Sequence, residues 1–210
     1  MRPLIIFLII ISASSPLFSA GRYTVGVGGG YGVNGIIDSG FFKWENEGCY
    51  RVELSLEKNV SPHITFETGL WYTSHSFQFY EIEDSSESID IKTNNRSEYL
   101  QIPLLFKPGI PFKHTKISFP VGLNFGYLIN SEIGDDYESS VQEYVNSNTV
   151  SAIAGLEFAV NFSFSTDIYL GVLAEMQLVD YIKNRGEKEE DEYSYLYDMI
   201  FRSGVRYRFR

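Results

Sequence analysis

Eight stretches of this chain alternate apolar and polar residues one for one, the period of a β-strand whose two faces meet different surroundings. The clearest runs over about 115–129. Ile117, Phe119, Val121, Leu123, Phe125 and Tyr127 oppose Ser118, Pro120, Gly122, Asn124 and Gly126. The other seven lie near 22–32, 49–58, 64–79, 97–107, 149–163, 167–181 and 195–210. In each, one face is a nearly unbroken set of Leu, Val, Ile, Phe and Tyr. The opposite face carries Arg51, Glu53, Glu57, Glu67, Glu157, Glu175, Gln177, Arg202 and Arg206, mixed with Gly and Ser.

Two architectures accept such strands. A soluble barrel of the lipocalin type would turn the apolar face inward around a ligand. A membrane barrel would turn it outward to lipid and must close, because no water satisfies an open edge there. Composition favours the second. Charges paired with glycine suit a narrow lumen better than a solvated face. Eight strands leave an interior just wide enough for side chains to fill. The 16 Phe, 15 Tyr and 18 Gly among 210 residues fit aromatic girdles and tight strands. The predicted fold is therefore all-β: an eight-stranded antiparallel up-and-down transmembrane β-barrel, monomeric, with its lumen plugged by interdigitated Glu and Arg.

The connections follow the same plan. Residues 33–48, 80–96, 130–148 and 182–194 are long, whereas 59–62, 108–114 and 164–166 are short. Long loops at one end and short turns at the other are the layout of bacterial outer-membrane barrels. An even strand number puts both termini at the short-turn end, the predicted periplasmic side. The long loops hold 18 of the 27 acidic residues and 6 of the 17 basic ones, with Asp135, Asp136 and the run from Glu187 to Glu192 at their tips. The short turns are assigned Lys58, Lys107 and Lys113. Acidic loops are solvated in the simplest reading, and divalent-cation or lipopolysaccharide bridging is the alternative.

The first twenty residues prescribe location. Met1-Arg2, the apolar run Leu4–Ile11 and the small, polar Ser12–Ala20 form a signal-peptide pattern, too short to anchor in a bilayer. The predicted division is a signal peptide at 1–20 and an outer-membrane barrel domain at 21–210. Phe18 stands at the −3 position, where a small residue is usual. No cysteine follows, so a lipid anchor is not expected.

The segment Tyr99–Lys107, YLQIPLLFK, resembles the Tyr-Leu-Glu-Ile-Pro-Leu-Leu pattern of the PorT-like outer-membrane barrel family, with Gln101 where Glu is usual. FPVGLNFGYLIN (119–130), AGLEFAV (154–160) and SGVRYRFR (203–210) are similar to that family's later strands. The alternating aromatics of the last are a signal of the kind the barrel-assembly machinery reads, although Arg210 follows the final Phe209. The resemblance implies an eight-stranded barrel, outer-membrane lipid and lipopolysaccharide as surroundings, and protein partners at the loops. One family member is associated with protein secretion, so a secretion-accessory role competes with a structural one, as does a narrow channel. Pro103, lacking a ladder donor, points to a bulge or local bend.

Chemistry finds little support. A net charge of −10 argues against nucleic-acid binding. One cysteine, Cys49, and three histidines make neither an intramolecular disulfide nor a zinc cluster. No cofactor, metal or catalytic residue is assigned. Some small barrels are lipid-modifying enzymes with Ser and His side by side on the lipid face, but His75 shares parity with Glu67 while Ser74 and Ser76 point the other way. His75 is expected at the barrel mouth, and His63 and His114 in short turns. GVGGG at 26–30 lacks the helix and lysine of a nucleotide loop. The acceptor-like triplets at Asn95 and Asn161 have no expected role in a bacterial barrel.

Overall fold

A computed structural model describes residues 22–38, 43–80, 92–133, 146–179 and 194–209. The expectations for the signal segment 1–20 and for the acidic loop tips, including Asp135, Asp136 and Glu187 to Glu192, fall outside the described residues. Among the described residues are nine strands: β1 Arg22–Asp38, β2 Lys43–Ser61, β3 Ile64–Tyr80, β4 Lys92–Pro111, β5 Thr115–Ser118, β6 Val121–Ile133, β7 Asn148–Asn161, β8 Thr166–Gln177 and β9 Ser194–Arg208. Every pairing is antiparallel, and β1 pairs with both β2 and β9, so the sheet closes on itself.

The wall is nonetheless eight strands wide. β5 and β6 are two halves of one strand, divided at Phe119-Pro120. Gly109 faces Ser118 and Phe106 faces Val121 in one unbroken register along β4. Ser118 faces Glu157 and Val121 faces Ala154 in one register along β7. The interruption is chemical. The Pro120 carbonyl accepts from Gly155 N–H at 2.9 Å, so its ring nitrogen also faces β7 and has no hydrogen to give.

Pro103 behaves similarly. The β3–β4 pairing lapses between Thr68–Leu104 and Trp71–Gln101, yet the register is the same on both sides, so the expected bulge is absent there. The register shifts lie elsewhere, at Glu98/Tyr99 between β4 and β6 and at Asn46/Gly48 and Asn59/Ser61 between β2 and β3. At Gly48, with φ of +138°, the backbone takes a form that L side chains rarely adopt, and its N–H donates to Asn34 Oδ1 at 2.9 Å.

β1, β2 and β4 are longer than the alternation indicated, and the first four strands reach 17 to 20 residues where about 9–11 cross a bilayer. Residues 33–38 and 43–48, assigned to a loop, continue the ladder. Once two strands leave the membrane, backbone pairing persists without an apolar face to mark it. The short connections β2–β3, β4–β5 and β7–β8 share one end of the barrel with Arg22 and Arg208.

Burial is the reverse of a soluble protein's. Leu170, Val27 and Phe201 are 60%, 60% and 63% exposed, while Arg51, Glu53 and Arg202 are 1%, 2% and 2% exposed. Apolar side chains form a continuous outer coat and ionised ones fill the interior. A lipocalin-type arrangement is thereby overturned, since a coat of this extent has no stable place in water.

Candidate functional site: the ionic lumen

All nine polar residues assigned to the inner face are buried. They are joined by Lys107, Asp198, Tyr169 and Trp71, none of which the sequence reading placed in the lumen. Six carboxylates (Glu53, Glu57, Glu67, Glu157, Glu175, Asp198) and four permanent cations (Arg51, Lys107, Arg202, Arg206) are buried among the described residues.

The network is centred on Glu157 of β7. Its carboxylate accepts from Arg206 Nη1 and Nη2 at 2.7 and 2.6 Å, from Arg202 Nη2 at 2.5 Å and from Lys107 Nζ at 2.8 and 3.0 Å. Lys107 donates also to Glu57 at 2.5 Å and Glu67 at 2.8 Å, so three carboxylates from three strands share one ammonium. Arg202 reaches Glu67 and Glu53, each at 3.2 Å. These are charge-assisted bonds between buried groups, where each partner relieves the other's desolvation.

Lys107 is the principal correction to the sequence reading, which put it in a short turn because Pro108-Gly109 follows. β4 continues through Pro111, and Lys107 keeps the parity of Gln101 and Leu105, so its side chain enters the lumen. The alternating stretch 97–107 ends on it, so counting by twos from Gln101 would have found it.

Aromatic rings carry the guanidinium planes. Arg206 lies 3.7 Å from the centre of Tyr169, whose hydroxyl donates to Glu53 at 3.1 Å, and Arg51 lies 4.5 Å from Trp71. Tyr169 fits because it crosses two facing glycines. A Cβ on Gly28 or Gly204 would overlap its ring or hydroxyl. Beside this network Trp71, Leu105, Ile153 and Leu173 form a small apolar cluster.

Toward the long loops a second layer follows. Arg51 pairs with Glu175 at 2.5 Å and donates to Thr73 at 2.9 Å. Thr73 in turn donates to Gln101 at 2.6 Å, and Asn124 donates to Glu175 at 2.7 Å. Beyond it His75 Nε2 meets Asp198 Oδ2 at 2.9 Å, with the imidazole between Phe77 and Tyr99. His75 thus lies buried in the lumen and not at its mouth. Ser74 faces the other side, buried beneath Arg96, which donates to it at 3.1 Å. His63 and His114 are exposed in short turns, as expected. Cys49 is a buried free thiol.

Open space lies on the two sides of this plug. A cavity of about 520 Å³ opens at the short-turn end, lined by Asn59, Thr65, Lys116, Asp167 and Arg208 among others. Between Gln101, Gln177, His75 and Asp198 is a space of about 10 Å³, room for one water. Among the described residues no group of three potential ligands could hold a metal ion.

A closed antiparallel barrel, apolar outside and ionic within, agrees with the family whose model matches residues 13–183, described as outer membrane protein beta-barrel domain. The chain belongs to that family. Solved structures similar to this family member are barrels too. OprG of Pseudomonas aeruginosa matches with a TM-score of 0.61 at 11% identity, covering 91% of this chain and 97% of its own. A major outer membrane protein of Thermus thermophilus gives 0.54 at 11%, covering 90% and 100%. Neisserial surface protein A gives 0.52 at 9%, covering 90% and 97%. At these identities the likeness is one of fold. No curated protein matches the sequence. The outer-membrane barrel assignment places this chain in the bacterial outer membrane.

Proposed function

We propose that this barrel is closed to solutes and serves as a structural or interaction protein, acting through its long acidic loops and outer wall, with both termini in the periplasm. The observation that carries this reading is the Glu157–Lys107–Arg202–Arg206 network, which spans the lumen from β2, β3, β4, β7 and β9. Opening it would strand buried charges, each costing several kcal/mol. The partners are outer-membrane lipid and lipopolysaccharide around the wall, the assembly machinery during insertion, and proteins at the loops. The chain acts as a monomer.

Catalysis has no assembled machinery to use among the described residues. His75 and Asp198 are sealed in the lumen, and Ser74 lies on the opposite face under Arg96. A secretion-accessory role is a special case of this reading, supported only by the family resemblance, of which residues 99–107 are the most specific part. Protein partners captured from crosslinked outer membranes would identify it.

The test is conductance in planar bilayers. A closed barrel gives no stable openings, or rare brief ones. Large, steady, ohmic channels from the purified protein would sink the proposal.

A further inference from the structure

A groove of about 490 Å³ lies in the outer wall near the short turns, on the face that meets lipid. It arises from one small residue in a large-residue row. Leu56, Thr68 and Leu104 stand side by side on β2, β3 and β4, and threonine occupies the place its neighbours give to leucine. One row nearer the turns stand Lys58, Phe66 and Phe106, with the two phenyl rings 5.4 Å apart and tilted at 49°. The leucines and rings therefore border a trough whose floor is Thr68. Its lining is almost wholly apolar, and its size is that of a ligand site, about 300–1,000 Å³.

The turn-side row also supplies a cation. Lys58 Nζ lies 5.9 Å from the ring of Tyr23, its cross-strand partner on β1. A lysine reaching along an apolar wall toward the membrane surface, next to a tyrosine, matches the depth of a phosphate headgroup. Trough and cation lie as one acyl chain and its phosphodiester would.

We propose that this groove binds a glycerophospholipid, with an acyl chain along Leu56, Thr68 and Leu104 and the phosphodiester on the Lys58 ammonium. Its assignment to the periplasmic leaflet rests on the orientation proposed above; the site itself does not.

The test titrates the delipidated full barrel in non-ionic detergent with phosphatidylglycerol and counts bound copies by native mass spectrometry. The unaltered protein retains one copy where Thr68→Leu, which fills the trough, retains none. Lys58→Gln needs about tenfold more lipid, the loss of one charge-assisted contact. Diacylglycerol, with the same chains and no phosphate, binds the unaltered barrel no better than phosphatidylglycerol binds Lys58→Gln. Both substitutions lie on the outer face, and unboiled gel migration verifies that the variants are folded. Equal retention by all three proteins overturns the site, as does a dimer across this face that Thr68→Leu dissolves. Orientation is read separately, from protease access to a C-terminal epitope in intact cells. Cleavage from outside would move the site to the other leaflet without touching the detergent result.

Discussion

The Glu157 carboxylate accepts hydrogen bonds from three cations that arrive from two other strands, β4 and β9. Glu157→Gln keeps the volume and removes the charge, leaving Arg202, Arg206 and Lys107 buried and under-compensated. Loss of a partner from such a network costs about 3–5 kcal/mol. Urea unfolding of the lipid-reconstituted barrel should show a loss of that order, and a change below about 0.5 kcal/mol would mean that the network contributes little. Gly204 is equally constrained, because its missing side chain is where the Tyr169 ring rests. Gly204→Leu is expected to abolish the compact, heat-modifiable form on unboiled gels. At this scale the sequence was legible through parity. Charged residues on a two-residue period opposite an apolar face had to be lumenal, and they are. What parity does not show is depth along the strand, so Lys107 looked like a turn residue and His75 like a rim residue. Nor does it show pairing, which depends on neighbours more than a hundred positions away, as between Arg51 and Glu175.

β6 illustrates how a strand is specified and where it stops. Val121, Leu123 and Phe125 face outward while Asn124 is buried, and adjacent strands follow the same rule. A charge forced onto the lipid side at mid-bilayer costs about 2–4 kcal/mol, so Leu123→Arg and Val172→Arg should both lower the folded yield in outer membranes. Normal insertion of both would contradict the face assignment. Pro120→Ala should give residue 120 an N–H aimed at β7, join β5 to β6 and protect that amide from hydrogen exchange. An unprotected amide there would refute the geometric account of the break. The number of strands was readable because short breaks separate the alternating runs, marked by Pro62 in one and by Pro108 and Pro111 near another, although β4 itself runs on through Pro111. Their upper ends were not, since ladder bonds above the membrane need no apolar face. The missing bulge at Pro103 has a similar lesson. A proline removes one hydrogen bond, and here the strand keeps its register across the gap.

Taken whole, the molecule is a sheet closed on itself that exchanges the usual inside for the outside. Its apolar surface is stable only in lipid or detergent, and its ionic interior only when every cation has a carboxylate. This predicts a barrel that stays folded in detergent at room temperature, migrates faster unboiled than boiled, and aggregates in plain buffer. The central claim is that the apolar face meets lipid along the full height of the wall. Spin labels placed singly at Val121, Leu123, Phe125 and Tyr127 in a Cys49→Ser background, with the protein in liposomes, test it most directly. The labels should be accessible to oxygen, shielded from an aqueous nickel complex, and most shielded at the middle positions. Equal nickel access at all four, as on a water-facing strand, would contradict the account.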